Sequence, residues 1–246
     1  MEVQKNVRLR WAGALLVLAA VQYLVLEAVT AAAWHTPPYN YAVGFISDLG
    51  NPVAGDVFEG RVVNSPLHLV MDAAFIGQGV LFITASVLLA GAVAGRLRTV
   101  LLTLAVLHGI GVILVGFFHE STAALTNGVI VVHSLGAAAT IVAGNVIAIV
   151  VGAVGRRWSV PTWLRVAAVG TGVLGLAAFV LLQADTTLYN AAGGVPERIA
   201  VYTILLFEAA AGVTVSRRAW RTVTPEFTRV PSVPSVPSVP SERLAS

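Results

Sequence analysis

The chain of 246 residues is 57% hydrophobic and 11% charged, with a mean hydropathy of +0.84, whereas a soluble domain carries about 25% charged residues. That deficit excludes an ordinary soluble domain, a disordered chain and a nucleic-acid-binding module, despite a formal net charge of +3. Cysteine is absent, which excludes disulfides, thiolate metal sites, iron–sulfur clusters and a cysteine nucleophile.

Taken in chain order, a short N-terminal segment (1–10) is followed by six apolar stretches, near Trp11–Ala33, Leu67–Ala94, Arg98–Phe118, Asn127–Val154, Trp163–Gln183 and Arg198–Val215. Each is long enough to cross a hydrocarbon core of about 30 Å, which takes roughly 20 residues of helix. None alternates as a barrel strand would. The expected fold is an all-α membrane protein, a six-transmembrane-helix bundle over residues 11–216. Ala31-Ala32-Ala33 resembles a signal cleavage site, but the apolar run before it is long and holds Glu27, so the first span reads as a retained helix. Of the 15 basic residues, only Arg61 and Arg198 fall outside the N-terminal segment, the second-to-third and fourth-to-fifth connections and the tail. The positive-inside rule then places both termini in the cytoplasm of a cell (inner or plasma) membrane. Trp11, Trp34, Trp158 and Trp163 stand where interfacial anchors are expected.

The connection His35–Pro66 is long enough to be a structured loop over one face, with Ser47 and Asp48 able to cap a short helix or turn. Gly91 and Gly95 form one G-x-x-x-G pattern, and the run from Gly136 to Ala139 offers a second small-residue packing face. Residues 217–246 read as a disordered cytoplasmic tail containing four Val-Pro-Ser copies, which favour polyproline II.

Ionisable groups within spans are costly and normally face the bundle interior with a partner. Counting along the helices puts Gln22, His108, Asn145 and Glu208 in one mid-membrane layer, with His108 and Glu208 the natural pair. A second layer lies near the outer face: His68 and Asp72, four apart on one helix face, then His119, Glu120 and His133, with Glu27, Asp185, Glu197 and Arg198 around them. With Asp48 from the loop, the expected pocket comprises Asp48, His68, Asp72, His119, Glu120, His133 and Glu197. Zinc or another divalent metal held by His68, His119, His133 and Asp72 would make a lipid or amide hydrolase, with Asp72 or Glu120 as candidate catalytic base. Haem between two histidines is a second cofactor option, and the lone mid-membrane histidine excludes a two-haem chain. A hydrogen-bonded network that merely ties the outer helix ends together is the simplest option of all.

Tyr39-Asn40-Tyr41 followed by Ile46-Ser47-Asp48-Leu49-Gly50 resembles the prokaryotic membrane family called domain of unknown function 998. Val115-Gly116-Phe117-Phe118-His119-Glu120, His133, Gly144-Asn145 and Gly194-Val195-Pro196-Glu197-Arg198 fit the same resemblance, which covers roughly residues 10–216. It implies a six-helix membrane fold and no established activity. Histidine, serine and aspartate near one face are also similar to the alkaline-ceramidase-like hydrolases. Those have paired histidines in a last span, and the sixth span here has none. The resulting expectation is an outward-facing pocket for a small ligand or lipid, with the bilayer as partner, a metal-dependent hydrolase as first alternative and a small-solute or proton-coupled transporter through His108 and Glu208 as second.

Overall fold

The structure is a computed structural model that describes residues 2–221; the Val-Pro-Ser tail lies outside the described residues. Six long helices are apolar enough to cross a membrane: α1 (Glu2–Ala33), α2 (His68–Leu89), α3 (Arg96–Phe117), α5 (Ile130–Val154), α6 (Thr162–Ala184) and α8 (Gly194–Arg221). In lipid each backbone donor must be satisfied within its own segment, and that forces these runs into helices. The chain is a multi-pass membrane protein. Two short helices, α4 (Thr122–Asn127) and α7 (Thr186–Ala192), cap the connections on one face. The first and last spans extend well past Trp11 and Val215, because a helix continues into the interface without needing apolar side chains there.

Each span packs on its sequence neighbours, and α8 closes back on α1. The result is a ring of six helices in chain order. The seams are glycines at which a Cβ would collide with the facing backbone. A Cβ on Gly79 would lie 2.3 Å from Gly109 O (α2 on α3), and one on Gly111 2.6 Å from Gly136 O (α3 on α5). A Cβ on Gly13 would lie 2.6 Å from Gly212 O, which brings α1 against α8. Close backbone approach of this kind replaces the hydrophobic driving force that lipid removes. Gly91 and Gly95 make no such seam. Nothing but Arg8 lies within 4 Å of a Cβ on Gly91, and Gly95 takes a left-handed turn (φ 65°) in open space.

One face, here the loop face, carries residues 34–67; the other, the basic face, carries both helix ends Glu2 and Arg221 and the arginine-rich turns. The loop holds a 3-10 turn (Ser47–Gly50) and a hairpin of β1 (Asp56–Phe58) and β2 (Arg61–Val63). Glu59 and Gly60 form its tight turn with positive φ at both positions, as a two-residue hairpin of right-handed twist requires. Ile46, Leu49, Phe58 and Val63 are almost fully buried and pack with Met71, Phe75 and Val115 of the helices. The loop is therefore a wedge driven into the mouth of the ring. Trp34 belongs to this wedge rather than to an interfacial belt: it is buried and its ring meets Tyr39 at 5.1 Å.

Candidate functional site

Asp48 anchors the loop-side cluster. Its Oδ2 accepts the Phe45 N–H at 2.8 Å, which folds the approach to the 3-10 turn back onto it, and Arg61 forks onto the same carboxylate at 3.1 and 3.2 Å. The guanidinium stacks over Phe45, 4.3 Å from the ring centroid, and reaches towards Glu120 (3.9 Å) and Glu59 (3.7 Å). Glu120, in the connection from α3 to α4, in turn faces His133 Nε2 of α5 at 3.7 Å. Burial pushes the Glu120 carboxyl well above the usual glutamate range, and the neighbouring Asp48 adds to the rise while Arg61 opposes it. His133 is fixed by its Nδ1, which donates to Phe118 O at 2.6 Å. Glu197, in the first turn of α8, accepts the Ile46 N–H at 2.6 Å and so ties α8 to the loop. Tyr189 of α7 bonds Glu59 and stacks against Phe45, covering the cluster from outside.

A second clamp sits beside it. Arg198 donates to Tyr41 O, Gly44 O and Gly194 O at 2.8, 2.7 and 3.1 Å, bonds the Tyr39 hydroxyl, and lies 3.3 Å from Glu27 of α1. The Tyr202 hydroxyl donates to the same Glu27 oxygen at 2.9 Å. One buried arginine thus holds α1, α8 and the loop together.

At mid-membrane, His108 Nδ1 donates to Thr140 O at 2.9 Å and its Nε2 lies 3.5 Å from Glu208 Oε1. The Gln78 amide donates to both Glu208 oxygens, at 2.9 and 2.7 Å. Asn145 and Gln22, placed in the same layer by depth, serve elsewhere. Asn145 donates to Ala200 O at 3.0 Å and accepts from Thr203, joining α5 to α8; Gln22 donates to Ala74 O at 3.1 Å, joining α1 to α2.

The metal set of His68, His119, His133 and Asp72 does not assemble. His119 Nε2 meets Asp72 Oδ2 at 3.1 Å, but His133 turns to Glu120, and His68 turns its Nδ1 to Ser65 O in its own turn at 3.3 Å. Among the described residues no three histidine, aspartate or glutamate side chains converge as metal ligands. The reason is the helix phase: four residues apart is one face, yet His68 sits at the first turn of α2 and is drawn to the loop carbonyl below it. Asp72 lies instead against Gly50, where a Cβ would come 3.0 Å from its Oδ1.

Between the two clusters lies a cavity of about 400 Å³ to which all six spans contribute. Its loop-side end is formed by Ser47, Glu120, His133, Tyr189 and Glu197, its floor by Gln78, His108 and Thr140, and its walls by residues such as Phe75, Val112, Ile141, Phe179 and Leu205. The α5–α6 seam is tight below, at Gly172 against Asn145 O, and Ile141 and Ala178 share a small buried cluster with Ala200. Above that cluster the cavity is bordered by Ser134 and Leu135 on α5 and Gln183 on α6, all exposed on the outside of the ring. The cavity comes nearest the outside of the ring along this border between α5 and α6.

Arg61, Gln78, Thr140 and Arg198 were not among the site residues expected from sequence. For the arginines a signal was present: they are the two basic residues that the topology count leaves over.

No curated protein and no solved structure matches the chain. A family model does, the protein of unknown function DUF998, over residues 12–214, and the chain belongs to that family.

Proposed function

We propose that the protein binds an amphipathic ligand, a lipid or lipid-like small molecule, inside the helix ring. The observation that carries this reading is the cavity itself: about 400 Å³, within the range of ligand sites, with apolar walls and polar groups gathered at its ends. The arginine distribution supports a cytoplasmic basic face, so the loop wedge and the cavity border between α5 and α6 belong to the outer leaflet. A molecule reaching the cavity between Leu135 and Gln183 arrives from lipid rather than from water.

The loop-side end favours a head that donates hydrogen bonds. Glu120 Oε1 is buried without a hydrogen-bond partner, Glu197 lines the same end, and both nearby arginines are already engaged by Asp48 and Glu27. A hydroxyl or amine meets acceptors there, whereas a phosphate would meet carboxylates. The hydrolase alternative needs three converging ligands for a catalytic metal, and the donor set described above does not favour it.

Thermal unfolding of the detergent-purified protein with dodecylamine, a monoacylglycerol and a lysophosphatidic acid tests the reading. Stabilisation by the first two and none by the third is expected, with the gain lost in Glu120→Gln. Leu135→Trp, which enlarges the side chain at the cavity border between α5 and α6, should slow binding at least several-fold. Equal stabilisation by all three amphiphiles, or by none, overturns the proposal.

A further inference from the structure

Two carboxyl–imidazole pairs in this protein share one construction. In each, Nδ1 donates to a backbone carbonyl, Phe118 O for His133 and Thr140 O for His108, so Nδ1 holds a proton and Nε2 of the neutral ring presents a lone pair. In each, that Nε2 faces a carboxyl oxygen, Glu120 at 3.7 Å and Glu208 at 3.5 Å. A lone pair facing a carboxylate is repulsive. Each pair is therefore satisfied by one additional proton, carried on the acid or on the ring; Glu120 has Arg61 beside it, Glu208 has the Gln78 amide, and the two pairs lie at different depths along the membrane normal.

Their placement is the second observation. Glu120, His133 and His108 all line the loop-side cavity, and His108 Nε2 is buried there without a hydrogen-bond partner. Glu208 lines a different cavity, of about 280 Å³, bounded by Ser86, Phe207, Ala211, Arg98 and Trp158 and lying towards the basic face. Its walls are mostly apolar, with residues such as Leu16, Leu101 and Ile147, and water entering it has Ser86, Thr214, Arg98 and Glu208 as polar partners. The partition between the two cavities is thus the His108–Glu208 contact itself. The other groups against it are Gln78, Thr140 and Phe82, whose ring meets the imidazole at 4.6 Å; none of these three carries charge.

We propose that the protein moves protons across the membrane through this partition. Glu208, holding the proton of the pair, releases it to water in the basic-side cavity and becomes a carboxylate. His108 Nε2 then takes a proton from water in the loop-side cavity, delivered past Glu120 and His133, and becomes an imidazolium. The N–H bond at Nε2 breaks as an O–H bond forms on Glu208, which restores neutral histidine and carboxylic acid. One proton and one positive charge cross per cycle, driven by the membrane potential or a pH gradient, and no other reactant is consumed. Because Nε2 has a single in-plane lone pair, the imidazole must swing between the loop-side water, where it takes the proton, and Glu208, where it gives it up, loosening the Nδ1–H bond to Thr140 O with each swing. This inference stands apart from ligand binding and does not depend on it.

Full-length protein in liposomes, with a potassium diffusion potential set by valinomycin and pyranine trapped inside, reads the flux. Lumenal acidification at least several-fold faster than in protein-free vesicles is expected, falling to the blank rate in Glu208→Gln and unchanged in Asp185→Asn, whose side chain only caps α7. Wild-type flux equal to the blank, or flux retained in Glu208→Gln, overturns the proposal. Because the chain has no cysteine, a second measurement keeps Glu208 intact. Val112→Cys, in the loop-side cavity, and Ala211→Cys, in the basic-side cavity, are exposed to a membrane-impermeant thiosulfonate in right-side-out and inverted vesicles. Reaction from opposite sides supports two half-paths; reaction from one side only, or of neither, removes them.

Discussion

Glu120 shows how a single side chain sets a dependence on pH. Burial, with Asp48 beside it, raises its carboxyl above the range it has in the unfolded chain. A raised acid is bound more tightly as the protonated form by the fold, so its contribution to stability is complete below the ordinary glutamate value near 4.3 and is lost as pH climbs through the raised value. Resistance to thermal unfolding should therefore fall as pH rises above about 4.3, and Glu120→Gln, which keeps the shape and cannot titrate, should flatten that slope. A slope unchanged in the variant would assign it to other groups. Arg198 offers a different case. Removing one partner of a buried ion pair costs about 3–5 kcal/mol because the other charge is left uncompensated, so Arg198→Met should destabilise by roughly that amount. Adding Glu27→Leu should recover much of the loss, which a double-mutant cycle in denaturant would measure.

Helix seams carry the next level. At Gly111 a Cβ would meet Gly136 O at 2.6 Å and Thr140 Oγ1 at 2.5 Å, while at Gly170, also within a span, nothing lies within 4 Å. Gly111→Ala is expected to cost about 1–3 kcal/mol, the usual penalty of overpacking, and Gly170→Ala should leave unfolding nearly unchanged. Equal effects would mean that the α3–α5 seam is not under steric control. The elements themselves were largely legible. Apolar runs about 20 residues long have one outcome in lipid, and all six spans stand where hydropathy places them. The hairpin was not read, although Val-Phe flanking Glu-Gly and Arg-Val-Val carries the alternation and turn chemistry of one. The Gly91–Gly95 pattern was read as a contact because spacing alone cannot say which face a glycine presents.

For the molecule as a whole, depth was readable and partnership was not. Counting along a span gives the level of a polar side chain, and the cost of ionisable groups in lipid explains why His108 and Glu208 are gathered inward. Which group meets which depends on the rotation of each helix and on the order of helices around the ring, and both are fixed by long-range seams. Asn145 and Gln22 share the level of His108 and yet bond to Ala200 O and Ala74 O. Arg61 enters the sequence argument only as a topology signal and Arg198 only by its level beside the outer layer, so their clamps on Asp48 and Glu27 are not legible there.

The closing of the ring by α8 on α1 has a consequence for biogenesis. As the chain leaves the ribosome, five spans can insert before Gly194 is made, and during that interval Glu27 is an acid in the bilayer with neither Arg198 nor Tyr202 beside it. The loop likewise lacks the carboxylate that receives Ile46 N–H and the arginine that gathers Tyr41 O and Gly44 O. The nascent protein is then an open arc with an unanchored loop. Arrival of the sixth span turns the arc into a closed wall and encloses both cavities in one late event.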